Sequence, residues 1–181
     1  LLVTPSKIDP LAWDAPKAPS LTGVMEPNDT LMKAELLGKG QLNGPEDTAI
    51  DSQGRVYGSQ QDGSIARIGS DGKVEIFAQT GGRPLGMAFD AKDNLIVADA
   101  FKGLLSIDPQ GQVTVLSTEA NGVPFKFTDD LEIASDGRIY FSDASDKFEQ
   151  HDYMLDLLEA RPPSRLLRYD PATGKTELLL D

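Results

Sequence analysis

The chain has 181 residues and contains no cysteine, which excludes disulfide bonds, thiol catalysis and cysteine-bound zinc. Its 29 acidic residues outnumber its 17 basic residues, and the net charge is −12. We expect no nucleic acid partner, because phosphate binding requires clustered lysine or arginine. No apolar run approaches the roughly 18 residues that a membrane-spanning helix needs.

The start of the chain predicts an irregular N-terminal arm over residues 1–30. Prolines exclude a regular helix or a central strand there, and they include Pro5, Pro10, Pro16, Pro19 and Pro27. We expect Trp13, the only tryptophan, to pin this arm to a hydrophobic surface. Residues Thr30–Leu37 then predict one additional strand.

A repeated pattern occupies the rest of the chain. Each repeat has an extended run, a Gly or Asp turn, a second apolar run and a further turn. The first turns, at Gly54, Asp93 and Gly137, lie 39 and 44 residues apart, the period of a four-stranded propeller blade. The sequence therefore predicts an all-β propeller segment over 31–181, with four-stranded blades at 44–81, 82–127 and 128–181.

Three blades do not close a ring, because closed propellers have about four to eight. An open ring exposes unpaired edges that favour association. We therefore expect half of a six-bladed propeller belonging to a longer or cleaved protein. The second half would be further sequence, a second half-propeller chain or a symmetry mate, and the sequence does not choose between them.

Blade three contains an insertion. Its first and second turns, at Gly137 and Gly174, are 37 residues apart, whereas the spacing in the other two blades is 18. Helical spacing of apolar residues and a following Pro162-Pro163 pair predict a short helix within 150–160. Either its apolar stripe packs on blade three, or it forms a lid that selects the substrate; the stripe comprises Tyr153, Met154, Leu157 and Leu158.

Carboxylates begin two of the three blades: Glu46 and Asp47 in blade one, Asp129 and Asp130 in blade three. The innermost strands line the central channel, so these oxygens are candidates to share a hard cation such as Ca²⁺. Without a cation they would repel one another. The alternative is that they accept hydrogen bonds from backbone N–H groups at the strand starts.

Other acids recur with the repeat. Asp99 and Asp143 both follow the second strand of a blade, and we interpret them, together with Asp51 and Asp90, as turn residues rather than catalytic groups. His151, the only histidine, is interpreted as a surface residue.

Five phrases in order resemble the strictosidine synthase-like family, in its adipocyte plasma membrane-associated protein branch. They are Gly44–Asp47, Gly82–Gly86, Val97–Gly103, Tyr140–Ser145 and Arg165–Pro171. The resemblance implies a six-bladed propeller akin to gluconolactonases and paraoxonases, with an axial calcium ion and hydrolysis of lactones or esters. It also places the remaining metal ligands, and the catalytic glutamate of true strictosidine synthases, beyond Asp181.

The resemblance implies roles for particular residues. Glu46 falls on the blade-one ligand, and Asp129 falls where many relatives have asparagine, so both are predicted ligands of Ca²⁺ or another divalent cation. Asp130 is the predicted catalytic-site carboxylate that orients this ligand set.

The expected function is therefore metal-dependent hydrolysis of a small-molecule lactone or ester. Two alternatives stay open. One is a non-catalytic propeller that binds a small ligand or a protein partner; the other is condensation of an amine with an aldehyde, as in strictosidine synthase.

The resemblance also implies a location outside the cytoplasm, periplasmic or otherwise extracytoplasmic. Many family members carry an N-terminal hydrophobic anchor. Leu1, Leu2 and Val3 fit the end of such an anchor upstream of Leu1.

Overall fold

The computed structural model describes residues 6–161 and 164–181. Three four-stranded antiparallel sheets account for most of the described chain, and each follows simple sequence order. The strands of the first sheet are β1 (Thr48–Ile50), β2 (Val56–Ser59), β3 (Ser64–Ile68) and β4 (Val74–Gln79). Those of the second are β5 (Pro84–Phe89), β6 (Leu95–Asp99), β7 (Gly103–Ile107) and β8 (Val113–Ser117).

The third sheet and its neighbouring elements complete the architecture. A short ribbon of β9 (Glu119–Ala120) and β10 (Val123–Pro124) precedes that sheet, which contains β11 (Thr128–Ile133), β12 (Ile139–Asp143), β13 (Arg165–Asp170) and β14 (Lys175–Leu180). One α-helix, α1 (Tyr153–Glu159), lies between β12 and β13. The arrangement is that of three β-propeller blades, and it confirms the predicted fold class.

The β9–β10 ribbon was not predicted from the sequence. Its turn is Asn121-Gly122, and both residues have positive φ, 53° and 80°. An Asn-Gly pair is the preferred two-residue hairpin turn because both residues tolerate this conformation. The local signal was therefore present in the sequence, although it fell outside the blade repeat.

The core consists of two hydrophobic clusters, one in each gap between neighbouring blades. The central blade contributes to both. Leu95 and Val97 of β6 belong to the cluster with blade one, whereas Ile96 and Ala98 belong to the cluster with blade three. Successive side chains of a strand point to opposite faces, so every residue of β6 is buried.

The predicted strand at Thr30–Leu37 is wrong. Thr30–Lys33 form a 3₁₀ helix, and so do Gly23–Met25. The N–H groups of Met32 and Ala34 donate to the carbonyls of Asp29 (2.9 Å) and Leu31 (3.1 Å). This segment therefore makes local hydrogen bonds, and it has no sheet partner within the described residues.

The predicted anchoring of the arm by Trp13 is also wrong, since this side chain is 71% exposed. Polar contacts hold the arm near the end of α1 instead. The N–H of Leu11 donates to the Glu159 carbonyl at 2.8 Å. Arg161 donates from Nε to the Asp9 carbonyl (2.8 Å) and from a terminal nitrogen to the Asp9 carboxylate (2.7 Å).

Asp51 shows how a turn acid stabilises a blade. One carboxylate oxygen accepts the N–H groups of Gln53 (3.0 Å) and Arg55 (2.9 Å). The other accepts the Arg55 Nε (2.6 Å) and the Tyr57 hydroxyl (3.0 Å). Burial alone would raise the pKa of Asp51, but these bonds outweigh it and hold the pKa below its ordinary value.

Replacing Asp51 by Asn should lower the free energy of unfolding by about 1–3 kcal/mol at pH 7, because an amide cannot accept all four bonds. A lowered carboxyl pKa stabilises the fold above the unfolded-state pKa, and this contribution is lost as pH falls through the lowered pKa. The difference between the two proteins in urea titrations should therefore shrink from pH 7 to about pH 3. An equal difference at both pH values would contradict this account.

No helix among the described residues is long and apolar enough to cross a membrane.

Candidate functional site

One end of the three blades carries the predicted site. Thr48 pairs with Gly58 and Thr128 pairs with Asp143, so the start of each innermost strand lies beside the end of the second strand. We define this end, with the starts of β1, β5 and β11 and the β2–β3, β6–β7 and β12–β13 connections, as the upper face. Glu46, Asp129 and the blade-three insertion therefore all belong to it.

Glu46 and Asp129 both have pKa values above their ordinary values. Although Glu46 as a residue is exposed, partial burial of its carboxyl is the largest cause that raises its pKa, followed by the charges of Asp129 and Asp47. Arg83 acts in the opposite direction. Burial, and then the charge of Asp130, raise the pKa of Asp129. The upper face thus concentrates negative charge that the nearby arginine does not neutralise.

Asp47 differs from Glu46 although the two are neighbours. Its N–H donates to the Ser59 hydroxyl (3.1 Å), and its carboxylate accepts the N–H groups of Thr48 (2.7 Å) and Met87 (2.7 Å). Met87 lies on the innermost strand of blade two, so Asp47 connects two blades. At this position the structure shows the alternative in which the acid accepts backbone hydrogen bonds.

Asp130 occupies the matching position in blade three. Its N–H donates to the Ser142 hydroxyl (3.1 Å), and its carboxylate accepts the Leu131 N–H (2.8 Å). These are the counterparts of the first two bonds of Asp47. The third bond of Asp47 is made with the following blade. The catalytic-site role of Asp130 stays a prediction, and the repeat suggests a structural role beside it.

The described residues do not form a metal site by themselves. They contain no group of three or more His, Cys, Asp or Glu side chains placed to hold a metal ion. Ca²⁺ takes about six to eight oxygen ligands. The carboxyl chemistry of Glu46 and Asp129, with pKa values raised by burial and neighbouring charge, fits a hard cation. Glu46 and Asp129 could therefore supply two ligands, and the others would have to come from elsewhere.

The predicted helix is present as α1, preceded by a 3₁₀ turn at Gln150–Asp152. Its apolar stripe does not pack on blade three, so that interpretation is wrong. The four stripe residues are exposed by about half or more of their surface: Tyr153 47%, Met154 51%, Leu157 67% and Leu158 59%. These exposed apolar side chains lie on the upper face, and their role as a lid stays a prediction.

Other residues anchor the insertion. Glu159 is buried, and its carboxylate binds Lys147 Nζ at 2.6 Å. The Ser145 hydroxyl accepts the N–H groups of Lys147 (3.2 Å) and Phe148 (2.9 Å). The exposed His151 ring lies 6.3 Å from that of Phe101, in the β6–β7 connection of blade two. The insertion therefore extends from blade three towards the top of blade two.

Asp99 and Asp143 hold the segments that lead into the innermost strands, which confirms their interpretation as structural turn residues. Asp99 accepts the N–H of Arg83 (3.0 Å), and Asp143 accepts that of Phe127 (2.7 Å). Gln60, at the same position in blade one, accepts the Asn43 N–H (2.8 Å). Sequence reasoning missed Gln60, because an amide replaces the carboxylate there.

Asp143 has an additional partner that the sequence did not reveal. Arg165 forms an ion pair with it, and both side chains are buried. The position opposite Asp99 in blade two is Gly103. One Asp99 carboxylate oxygen is consequently buried without a hydrogen-bond partner among the described residues.

The three blades place this chain in the β-propeller class. Solved propellers support this: a gluconolactonase of Xanthomonas campestris aligns with a TM-score of 0.62 at 20% identity, over 77% of this chain and 48% of that one. A virginiamycin B lyase of Staphylococcus aureus aligns with a TM-score of 0.56 at 13% identity, over 76% and 41% of the two chains. At these identities the likeness establishes the fold alone.

The chain belongs to the strictosidine synthase-like family. Residues 23–68 match the model "Strictosidine synthase-like, N-terminal", and residues 129–181 match "Strictosidine synthase". Protein STRICTOSIDINE SYNTHASE-LIKE 4 of Arabidopsis thaliana is 41% identical over 187 residues, 99% of this chain and 47% of the relative. Adipocyte plasma membrane-associated protein of Rattus norvegicus is 34% identical over 199 residues, 100% and 52% of the two chains. The chain therefore spans about half the length of these relatives.

Gly86 tests how closely blades two and three approach at the upper face. A Cβ added there would lie 2.5 Å from an Asp130 carboxylate oxygen and 2.7 Å from the Asp130 Cα. Gly86→Ala should therefore destabilise the fold, because the backbone of blade three must shift. Gly58→Ala is the control, since its Cβ would meet nothing closer than 3.9 Å. Similar losses in thermal melting temperature for the two variants would contradict the close approach.

Asp129→Asn should raise the melting temperature at pH 7 in the presence of a chelator. A raised carboxyl pKa means that the ionised form is disfavoured in the folded state. The free energy of unfolding therefore falls as pH rises from the unfolded-state pKa to the raised folded-state pKa. The gain should disappear on acidification, once Asp129 is protonated. Asp136→Asn, in the same blade, is the control with opposite sign, because its pKa is lowered by the Arg138 N–H and its neighbouring charge. A lower melting temperature for Asp129→Asn than for the wild type would contradict the raised pKa of Asp129.

Proposed function

We propose that this chain forms part of a hydrolase of lactones or esters whose reaction centre lies on the upper face. The observation that carries the proposal is the pair Glu46 and Asp129, whose carboxyl pKa values are raised by burial and neighbouring acids. Carboxylates placed in this way favour binding of a hard cation over mutual repulsion. The fold likeness to a gluconolactonase supports the same reaction class.

Glu46 and Asp129 would hold a divalent cation, with Ca²⁺ as the preferred candidate. When bound, such an ion supplies Lewis-acid polarisation of a carbonyl group. Asp130 would keep the start of β11 in place through its bonds to Ser142 and Leu131, which sets the position of the adjacent Asp129.

The insertion would provide substrate selection. Its exposed apolar stripe offers a surface for the acyl or alcohol portion of an ester, and it excludes water where it covers the substrate. The ion pair of Glu159 with Lys147 fixes the base of α1, so the stripe is presented by a rigid element.

A second candidate function is binding of a protein or small ligand without catalysis. The same four exposed apolar side chains favour it, because contiguous exposed apolar surface commonly marks a binding site. Hydrolysis requires Glu46 as a metal ligand, whereas binding without catalysis does not.

The proposed cation site needs ligands from outside the three described blades. Because the carboxylates of Glu46 and Asp129 supply at most four of the about six to eight oxygen ligands that Ca²⁺ takes, we propose that three further blades complete the site, from the same protein or from a second half-propeller. The membrane association named for the adipocyte relatives suggests an extracytoplasmic, membrane-anchored location for the whole protein.

Glu46→Gln should reduce lactone or arylester hydrolysis by at least about 100-fold in the whole protein, since the loss of a ligand should exceed the loss of an outer-shell partner. It should also abolish any calcium-dependent increase in melting temperature. Glu177→Gln, an exposed glutamate paired with Arg168, is the control and should change neither.

Three outcomes separate the alternatives. Wild-type hydrolysis that survives complete chelation would contradict a metal-dependent reaction. Partner binding that persists in Glu46→Gln but is lost in Leu157→Ser, with no hydrolysis in the wild type, would support the binding function. Hydrolysis unaffected by Glu46→Gln would place the reaction centre elsewhere.

A further inference from the structure

The two gaps between blades are built from equivalent positions but are filled differently. In the gap between blades one and two, the Tyr57 ring makes edge-to-face contacts with Phe77 (centroids 5.0 Å apart) and Phe89 (4.9 Å). Arg67 lies over the Phe77 ring at 5.3 Å. Three aromatic rings and one long side chain therefore occupy this gap.

The gap between blades two and three has smaller side chains at every one of these positions. In the strand registers, the equivalents of Tyr57, Arg67, Phe77 and Phe89 are Ile96, Ser106, Leu116 and Ile133. A cavity of about 200 Å³ lies there, and these four residues line it together with Ile139 and Tyr169. Deeply buried Ile96 and exposed Pro171 both border the cavity, so it opens to solvent.

A carboxylate also borders this cavity. Asp90 is the equivalent of Asp51, and one of its oxygens accepts the N–H groups of Lys92 (2.8 Å) and Asn94 (2.8 Å). The other accepts only the Asn94 side-chain amide (2.9 Å) among the described residues. The corresponding oxygen of Asp51 accepts a second bond, from the Tyr57 hydroxyl. A carboxylate oxygen has room for two such bonds.

We propose that this cavity binds a small phenol. Its ring would take the place that the Tyr57 ring has in the neighbouring gap, and its hydroxyl would donate to the free acceptor position of Asp90. The size is sufficient, because an aliphatic cavity of about 150 Å³ accommodates benzene. The apolar lining favours the ring, while Asp90 favours a hydroxyl donor over an unsubstituted hydrocarbon.

This binding site is independent of the proposed hydrolase. Asp90 and Gly137 lie in the turns between the first and second strands of their blades, at the end opposite the upper face. The loss of either function would therefore leave the other unaffected.

Calorimetric titration with phenol, and with toluene as the ligand of similar shape without a hydroxyl, tests the proposal. We expect phenol to bind about tenfold more tightly, the usual gain from a hydrogen bond to a charged group. Asp90→Asn should weaken this preference and leave toluene binding unchanged. The single oxygen of the new amide would be needed by Lys92 and Asn94, so the phenol hydroxyl would lose its charged acceptor and face an amide nitrogen, which cannot accept a hydrogen bond.

Filling the cavity should abolish binding. Ile96→Tyr restores the side chain found in blade one and should raise the melting temperature while it excludes both ligands. Ile133→Phe fills the same space from blade three, and it serves if Ile96→Tyr does not fold. Equal affinity for phenol and toluene would contradict the proposed hydrogen bond from the phenol hydroxyl to Asp90. Binding that is absent in the wild type, or that persists in a folded filled variant, would overturn the site itself.

Discussion

Packing between neighbouring blades is the constraint on which the rest of this structure depends. A blade is a single sheet with two faces, and its hydrophobic side chains are buried only when another blade lies against each face. The central blade satisfies both faces, which is why Leu95, Ile96, Val97 and Ala98 are all buried although they alternate in direction. Within the described residues each outer blade packs against a single neighbour, so its other face is not covered by a blade there.

The neighbouring acids Glu46 and Asp47 have different environments at the start of β1. Asp47 accepts backbone N–H groups from its own blade and from blade two, and thereby holds the innermost strands together. Glu46, one residue earlier, is left among negative charges, where burial and Asp129 raise its pKa. A structural carboxylate and a candidate ligand therefore stand side by side. The negative charge of Glu46 and Asp129 on the upper face is the basis of the cation site proposed above.

The blade repeat also explains why the two gaps between blades contain different side chains. Once the backbone positions are set by the repeat, side chains at equivalent positions can change as long as each gap remains packed. Blade one uses Tyr57 with Asp51, whereas blade two keeps the acid as Asp90 and replaces the tyrosine by Ile96. In the same way Asp143 gained Arg165 as a partner, while Asp99 faces Gly103. Each exchange leaves a carboxylate with an unused acceptor among the described residues, and the one at Asp90 borders a cavity.

The sequence by itself determined the blade repeat, the turns at Gly54, Asp93 and Gly137, and the short helix, because each depends on local spacing and backbone preference. It also identified Glu46 and Asp129 as candidates. Tertiary structure decided the rest. Residues 30–33 form a 3₁₀ helix with no strand partner in the described chain, and α1 buries Glu159 while its apolar stripe is exposed. The cavity beside Asp90 depends on side-chain volumes from two blades, which no local pattern records.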